Sequence, residues 1–164
     1  MDAHYAKSLI FLAAVVLTAA VCFSALSVFP DDYAEETARA AEEFGVDDAL
    51  VRAVIFAESG YDNDAVSRAG ASGLMQMMPG TRMMMSGLTG IEADGSAESE
   101  IRLGTAYLAM LLERFGDVDT ALAAYNAGPA HVERWAENGE EPYPETAAYV
   151  RRVRFAQRVY SRVI

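Results

Sequence analysis

Residues 8–29, SLIFLAAVVLTAAVCFSALSVF, form one apolar run with no charged side chain and no polar face. The pattern changes abruptly at Pro30. From there, apolar positions recur at helical spacing, separated by short segments rich in Gly, Pro, Asn and Asp. The acid-rich stretch DDYAEETARAAEEFGV predicts a first helix, with Ala34, Ala38, Ala41 and Phe44 along one stripe and Gly45 as its stop. Asp47 is a cap for a second helix, whose positions Leu50, Val51, Val54, Ile55 and Phe56 run on to Glu58 and Ser59 before Gly60. That pattern leaves Arg52 on the solvated face. Residues 61–73 predict a structured loop, and residues 74–78 and 79–85 short helical pieces, with Pro79 at a first turn. A loop over residues 87–96 leads to a long helix over 97–115, carrying Ile101, Leu103, Tyr107, Leu108, Leu111 and Leu112. A shorter helix ends near Ala124, Gly128-Pro129 opens a turn containing Val132 and Trp135, and residues 145–164 form a last amphipathic helix. No segment sustains a period of two. The predicted class is all-α, or mostly α.

At 164 residues the chain is long enough for one domain with a full core. The division predicted is residues 1–30 as a transmembrane anchor or signal sequence and residues 31–164 as the globular domain. As a helix, roughly 22 apolar residues reach across a hydrocarbon core of about 30 Å. Lys7 and the amino terminus precede the run, and Asp31, Asp32, Glu35 and Glu36 follow it, so the remainder is expected to face outward. A secretory signal peptide would be shorter and would end on a small-x-small cleavage site, which favours a retained inner-membrane anchor with the domain in the periplasm. If the segment is cleaved, the domain is exported to the cell envelope. Cys22 is the only cysteine and has no partner for an intramolecular disulfide.

The formal net charge of −11 argues against a nucleic acid partner. Six of the eight methionines lie between Met75 and Met85, and no His or Cys accompanies them. They read as apolar wall or partner-facing surface, and no metal or cofactor is expected.

Glu58 lies four residues after Val54 and seven after Val51, on a face shared with core positions. A carboxyl held there loses solvation, which raises its pKa and suits it to protonating a leaving oxygen near neutral pH. The same spacing is met by a helix-terminal Glu that turns to water past Gly60.

Three ordered segments, AVIFAESGYDNDAVSRAGASGLMQMMPGT, LGTAYLAMLLERFGDVDTALAAYNAGPAHVERW and YPETAAYVRRV, strongly resemble the soluble lytic transglycosylase family, whose catalytic domain has a goose-lysozyme-like fold. The resemblance spans roughly residues 47–153. It implies that Glu58 is the catalytic acid and base of cleavage between N-acetylmuramic acid and N-acetylglucosamine, yielding a 1,6-anhydro sugar. It also implies that Ser59, Met75, Gln76, Tyr125, Asn126, Glu145 and Tyr149 bind or frame the substrate. Gln76 offers a donor and an acceptor to sugar groups, and Tyr125 a hydroxyl to Glu58 or the sugar. Asn126 is equally suited to holding the turn, and Glu145 reads as a groove or structural residue. One departure is Glu100-Ile101, where the family often has Asn-Ile. The implied partners are peptidoglycan glycan strands, the membrane through residues 8–29, and components of a secretion, pilus or other envelope machine. Two other functions compete: a lysozyme-type muramidase that uses water, and a non-catalytic peptidoglycan-binding scaffold.

Overall fold

The computed structural model describes residues 11, 12, 14, 15 and 29–163. The expected anchor therefore lies largely outside the described residues, among which no helix is long and apolar enough to cross a membrane. Between Asp31 and Ile164 the chain forms seven helices: α1 (Ala34–Phe44), α2 (Asp48–Glu58), α3 (Pro79–Thr89), α4 (Ala97–Phe115), α5 (Val118–Ala127), α6 (Pro129–Asn138) and α7 (Pro144–Val163). Two isolated antiparallel bridges, Val66 to Ser72 and Ser72 to Met77, are the β pairing among the described residues. The all-α expectation holds.

The fold is built around α2. Its N-cap Asp47 accepts from the Ala49 amide at 3.1 Å and, through its other oxygen, from Gln157 of α7 at 2.7 Å. Leu50, Val51, Val54 and Ile55 are fully buried, and each contributes about 1.5–3 kcal/mol by leaving water. Helix α7 lies along α2 and presents Tyr149, Val153, Ala156 and Tyr160, one residue per turn, to the core. Arg52 is not on a solvated face as the periodicity predicts. Its side chain is buried and paired with Asp48 at 2.9 Å and with Asp31, because α2 is enclosed on every side.

Three further expectations are corrected. Residues 74–78 are not a helix: residues 73–76 form a tight turn closed by the Ser72–Met77 bridge, and Gly73 (φ 80°) and Gln76 (φ 46°) sit in the left-handed region, which no helical turn accommodates. Helix α3 runs through Gly87 to Thr89 and stops at Gly90, whose amide donates to the Ser86 carbonyl. The turn expected around Val132 and Trp135 is the full helix α6. Pro129 occupies its first position, Gly139 closes it, and Val132 and Trp135, three residues apart, both enter the core.

Helix α4 crosses beneath the tight turn at Gly104. A Cβ there would meet Met75 Cβ at 2.8 Å and Cε at 3.1 Å, so close approach requires glycine despite its cost inside a helix. Gly104→Ala is expected to destabilise the domain by about 1–3 kcal/mol. Denaturant unfolding measures this, and an unchanged or raised midpoint would contradict the close packing.

Candidate active site

Glu58 is the last residue of α2 and one of the residues lining a cleft of about 380 Å³, together with Ser67, Gln76, Met78, Tyr107, Tyr125 and Asn126. Among the described residues of its wall, Glu58 is the only acid. A second hollow of about 390 Å³, walled by Ala123, Val132, Trp135, Ala147 and Val150, is as large but does not include Glu58. Size alone does not locate the chemistry; the polar groups do.

Desolvation pushes the Glu58 carboxyl up to about 7, against the lowering effects of the Tyr149 hydroxyl and the Arg152 guanidinium. Its place at the negative end of the α2 dipole works in the same direction as desolvation. Tyr149 is buried on α7, and its hydroxyl points at the carboxyl without reaching ideal hydrogen-bond geometry. Arg152, one turn further along α7, donates to the Ala57 carbonyl at 2.9 Å and lies 5.6 Å from the Tyr149 ring centre. It thereby ties the end of α2 to α7 and holds a cation beside the acid.

The tight turn forms the facing wall. Its two ends pair as Ser72 N to Met77 O (3.2 Å) and Met77 N to Ser72 O (3.1 Å). Ser59 donates from its hydroxyl to the Leu74 carbonyl at 2.8 Å, which fastens the turn to the end of α2. Tyr125 donates to the Met75 carbonyl at 2.9 Å while its ring stacks obliquely on Tyr107, centroids 5.4 Å apart. The Gln76 amide donates to the carbonyls of Ala65 and Gly73, both at 2.9 Å. Since both partners are acceptors, the nitrogen must point at them, leaving Oε1 as the acceptor for a ligand.

These contacts sort the predicted residues. Glu58, Gln76, Tyr125 and Asn126 meet at the cleft. Ser59 holds the turn, and Tyr149 backs the acid. Met75 is fully buried against Gly104, so its side chain offers nothing to a ligand and only its carbonyl takes part, through Tyr125. The expectation that Tyr125 directs its proton at Glu58 or the sugar is corrected, since the Met75 carbonyl takes that proton. Gln76 offers an acceptor alone, its donors being engaged. Glu145 is exposed in the first turn of α7 and is not among the residues lining the cleft. Asp62 accepts from the Asp64 amide at 2.9 Å in a local turn and is likewise outside the cleft wall. Sequence reasoning missed the place of Arg152 beside Glu58 and the pairing of Arg82 with Glu100 beneath the turn. A surface-like arginine and an i, i+18 charge pair carry no periodic signal, although the unusual Glu at position 100 was a visible trace.

The raised pKa makes Glu58 a source of pH-dependent instability. Below about pH 4.5 the carboxyl is protonated in the folded and unfolded chain alike. As pH rises to 7 the unfolded chain loses a proton that the folded one keeps, so stability falls across that window and levels off above it. Glu58→Gln is expected to be more stable than the parent by roughly 1–3 kcal/mol at pH 8 and equal to it at pH 4. Thermal unfolding at the two pH values checks this, and an equal difference at both would count against a desolvated acid.

The sequence matches the Transglycosylase SLT domain family over residues 35–146. It is 36% identical over 114 residues to the soluble lytic murein transglycosylase of Escherichia coli K12, covering 58% of this chain and 18% of that protein. It is 39% identical over 101 residues to membrane-bound lytic murein transglycosylase F of Desulfosudis oleivorans, covering 57% and 21%. Among solved structures, an inactive mutant of lytic transglycosylase Slt from Pseudomonas aeruginosa, in which one Glu is replaced by Gln, superposes with a TM-score of 0.76 at 33% identity. That superposition covers 81% of this chain and 24% of the other. The chain thus spans about a fifth of the length of these two curated relatives. A match that takes in α1, the helix ending at Glu58, the Gln76 turn and the Tyr125 helix, and closes at the first turn of α7, makes this chain a member of the transglycosylase SLT domain family.

Proposed function

We propose that the domain cleaves the β-1,4 bond between N-acetylmuramic acid and N-acetylglucosamine in peptidoglycan, as a lytic transglycosylase of the cell envelope. The observation that carries this reading is a lone, desolvated carboxyl in the cleft. Ordinary glycoside hydrolases place two carboxyl groups about the scissile bond, one for the leaving oxygen and one for the nucleophile or water. Here the described wall supplies Glu58 alone.

Glu58, protonated by virtue of its burial, donates its proton to the glycosidic oxygen as the C1–O bond breaks. The resulting carboxylate then accepts the proton of the muramic 6-hydroxyl as that oxygen bonds to C1, which closes the 1,6-anhydro ring and restores the acid. No water is added or released. Through the cycle Arg152 steadies the carboxylate form and Tyr149 offers it a proton to accept from, so neither form of Glu58 is trapped. Burial keeps the Tyr125 and Tyr149 phenols protonated throughout. The Gln76 oxygen suits a sugar hydroxyl or acetamido N–H, and Asn126 supplies a further amide to the same cleft. The apolar run at residues 8–29 and the membrane-bound name of one relative support anchoring in the inner membrane, with the domain facing the wall.

Mass spectrometry of peptidoglycan digested with the domain is expected to find 1,6-anhydro ends, and reducing ends in their place would refute the transglycosylase assignment. Glu58→Gln is expected to fold and to lose at least about a thousandfold in turnover. Because the protonated carboxyl starts the reaction, kcat/KM should fall about tenfold per pH unit above 7. Tyr149→Phe removes a group that lowers the Glu58 pKa, so its alkaline limb should move to higher pH; a shift to lower pH in the rate profile would contradict the assigned contact.

A further inference from the structure

The tight turn that carries Gln76 has no helix or sheet to stiffen it, yet it must hold Gln76 and the Met75 carbonyl in fixed places. Beneath it lies an ion pair that the mechanism above does not use, between the half-buried Arg82 and the buried Glu100. Glu100, on α4, is 3% exposed. Its Oε2 accepts from Arg82 Nη2, on α3, at 2.8 Å. The same nitrogen donates to the Ser72 carbonyl at 2.9 Å and lies 3.1 Å from the Ser72 hydroxyl. The carboxyl fills the space under Gly73, where a Cβ would meet its Cδ at 2.9 Å and Cγ at 3.3 Å. Ser72 and Gly73 are thus gripped between a guanidinium and a carboxylate. Gly73 in turn accepts the Gln76 side-chain amide at 2.9 Å and the Gln76 backbone amide at 3.2 Å.

A pair with one partner enclosed and the other half-buried is a poor device for stability, because desolvation offsets much of its Coulombic gain and an apolar replacement is often neutral. What a charged pair does better than an apolar contact is fix direction, since each hydrogen bond has a required angle. We propose that Arg82 and Glu100 are positioning residues that fix the Gln76 turn against the Glu58 wall. This rests on the reading of the cleft as a glycan-cleaving site. The pair touches no substrate and acts through Ser72 and Gly73.

The test is the double variant Arg82→Met/Glu100→Met, which removes both charges and leaves unbranched side chains, equal in length to Glu100 and two atoms shorter than Arg82. It is expected to unfold within a few degrees of the parent, because no charge is left stranded. Backbone amides of Gln76 and Met77 are expected to exchange hydrogen at least about tenfold faster, with those of α2 and α4 unchanged. Release of soluble glycan from peptidoglycan, counted whichever end the fragments carry, should show kcat lowered about 10- to 100-fold with KM within about threefold. Parental exchange at the turn, parental kcat, or a kcat loss no greater than the unfolded fraction would each overturn the proposal. If the double variant does not fold, Arg82→Lys decides: its side chain is one atom shorter, so its ammonium keeps a charge for Glu100 but does not reach the Nη2 position from which a single nitrogen meets both Glu100 and Ser72. Lowered kcat at parental stability is expected of it, and parental kcat would overturn the proposal. The exchange readout does not depend on the reaction, and anhydro or reducing ends in the same digests judge the reading of the function separately.

Discussion

A carboxyl taken out of water at the negative end of a helix is the constraint on which the rest of this domain turns. Placing Glu58 there costs stability whenever it is ionised, and the cost is what keeps its proton available near neutral pH. Such a group persists only where the surrounding packing is strong enough to hold it. Helix α2 meets that condition by being enclosed on all sides, even over Arg52, whose charge is answered by Asp31 and Asp48. The enclosure delivers the end of α2 to the cleft with little freedom to retreat.

The wall opposite follows a different logic. A four-residue turn with two left-handed positions has few contacts of its own and is held by side chains from elsewhere: Ser59 from the end of α2, Tyr125 from α5, Arg82 from α3. Each donates to a different carbonyl, at Leu74, Met75 and Ser72 respectively. Turn and acid are thereby referred to the same framework. Gln76 presents an acceptor to the cleft because the turn consumes its donors, and Tyr125 frames the cleft with its ring while its proton holds the turn.

Much of this was legible in the sequence. The boundaries of α2 follow from Asp47 and Gly60, local cap and stop signals that act within one turn, and α4 occupies the residues 97–115 expected of it. The three motif segments pointed to Glu58, Gln76, Tyr125 and Asn126, which do share the cleft. Spacing alone was a weaker guide. It placed Glu58 on a core face and Arg52 on a solvated one, a distinction that disappears in a helix buried all round. Residues 74–78 looked helical because their apolar side chains fall close together, whereas the turn over 73–76 is set by Gly73 and by distant donors that no local pattern records. Met75 was read as a ligand contact although it is core, and the roles of Arg82, Glu100 and Arg152 depend on contacts 10 to 95 residues away along the chain.

Every step assigned to Glu58 requires it to be a single desolvated acid. Carbon-13 labelling of glutamate side chains, with the carboxyl resonance of Glu58 assigned through Glu58→Gln and followed from pH 3 to 9, tests it without substrate. A midpoint near 7 is expected, well above the ordinary 4.5. A midpoint between 4 and 5 would mean that the carboxyl is solvated in the folded domain, and the acid–base role assigned to it would fail.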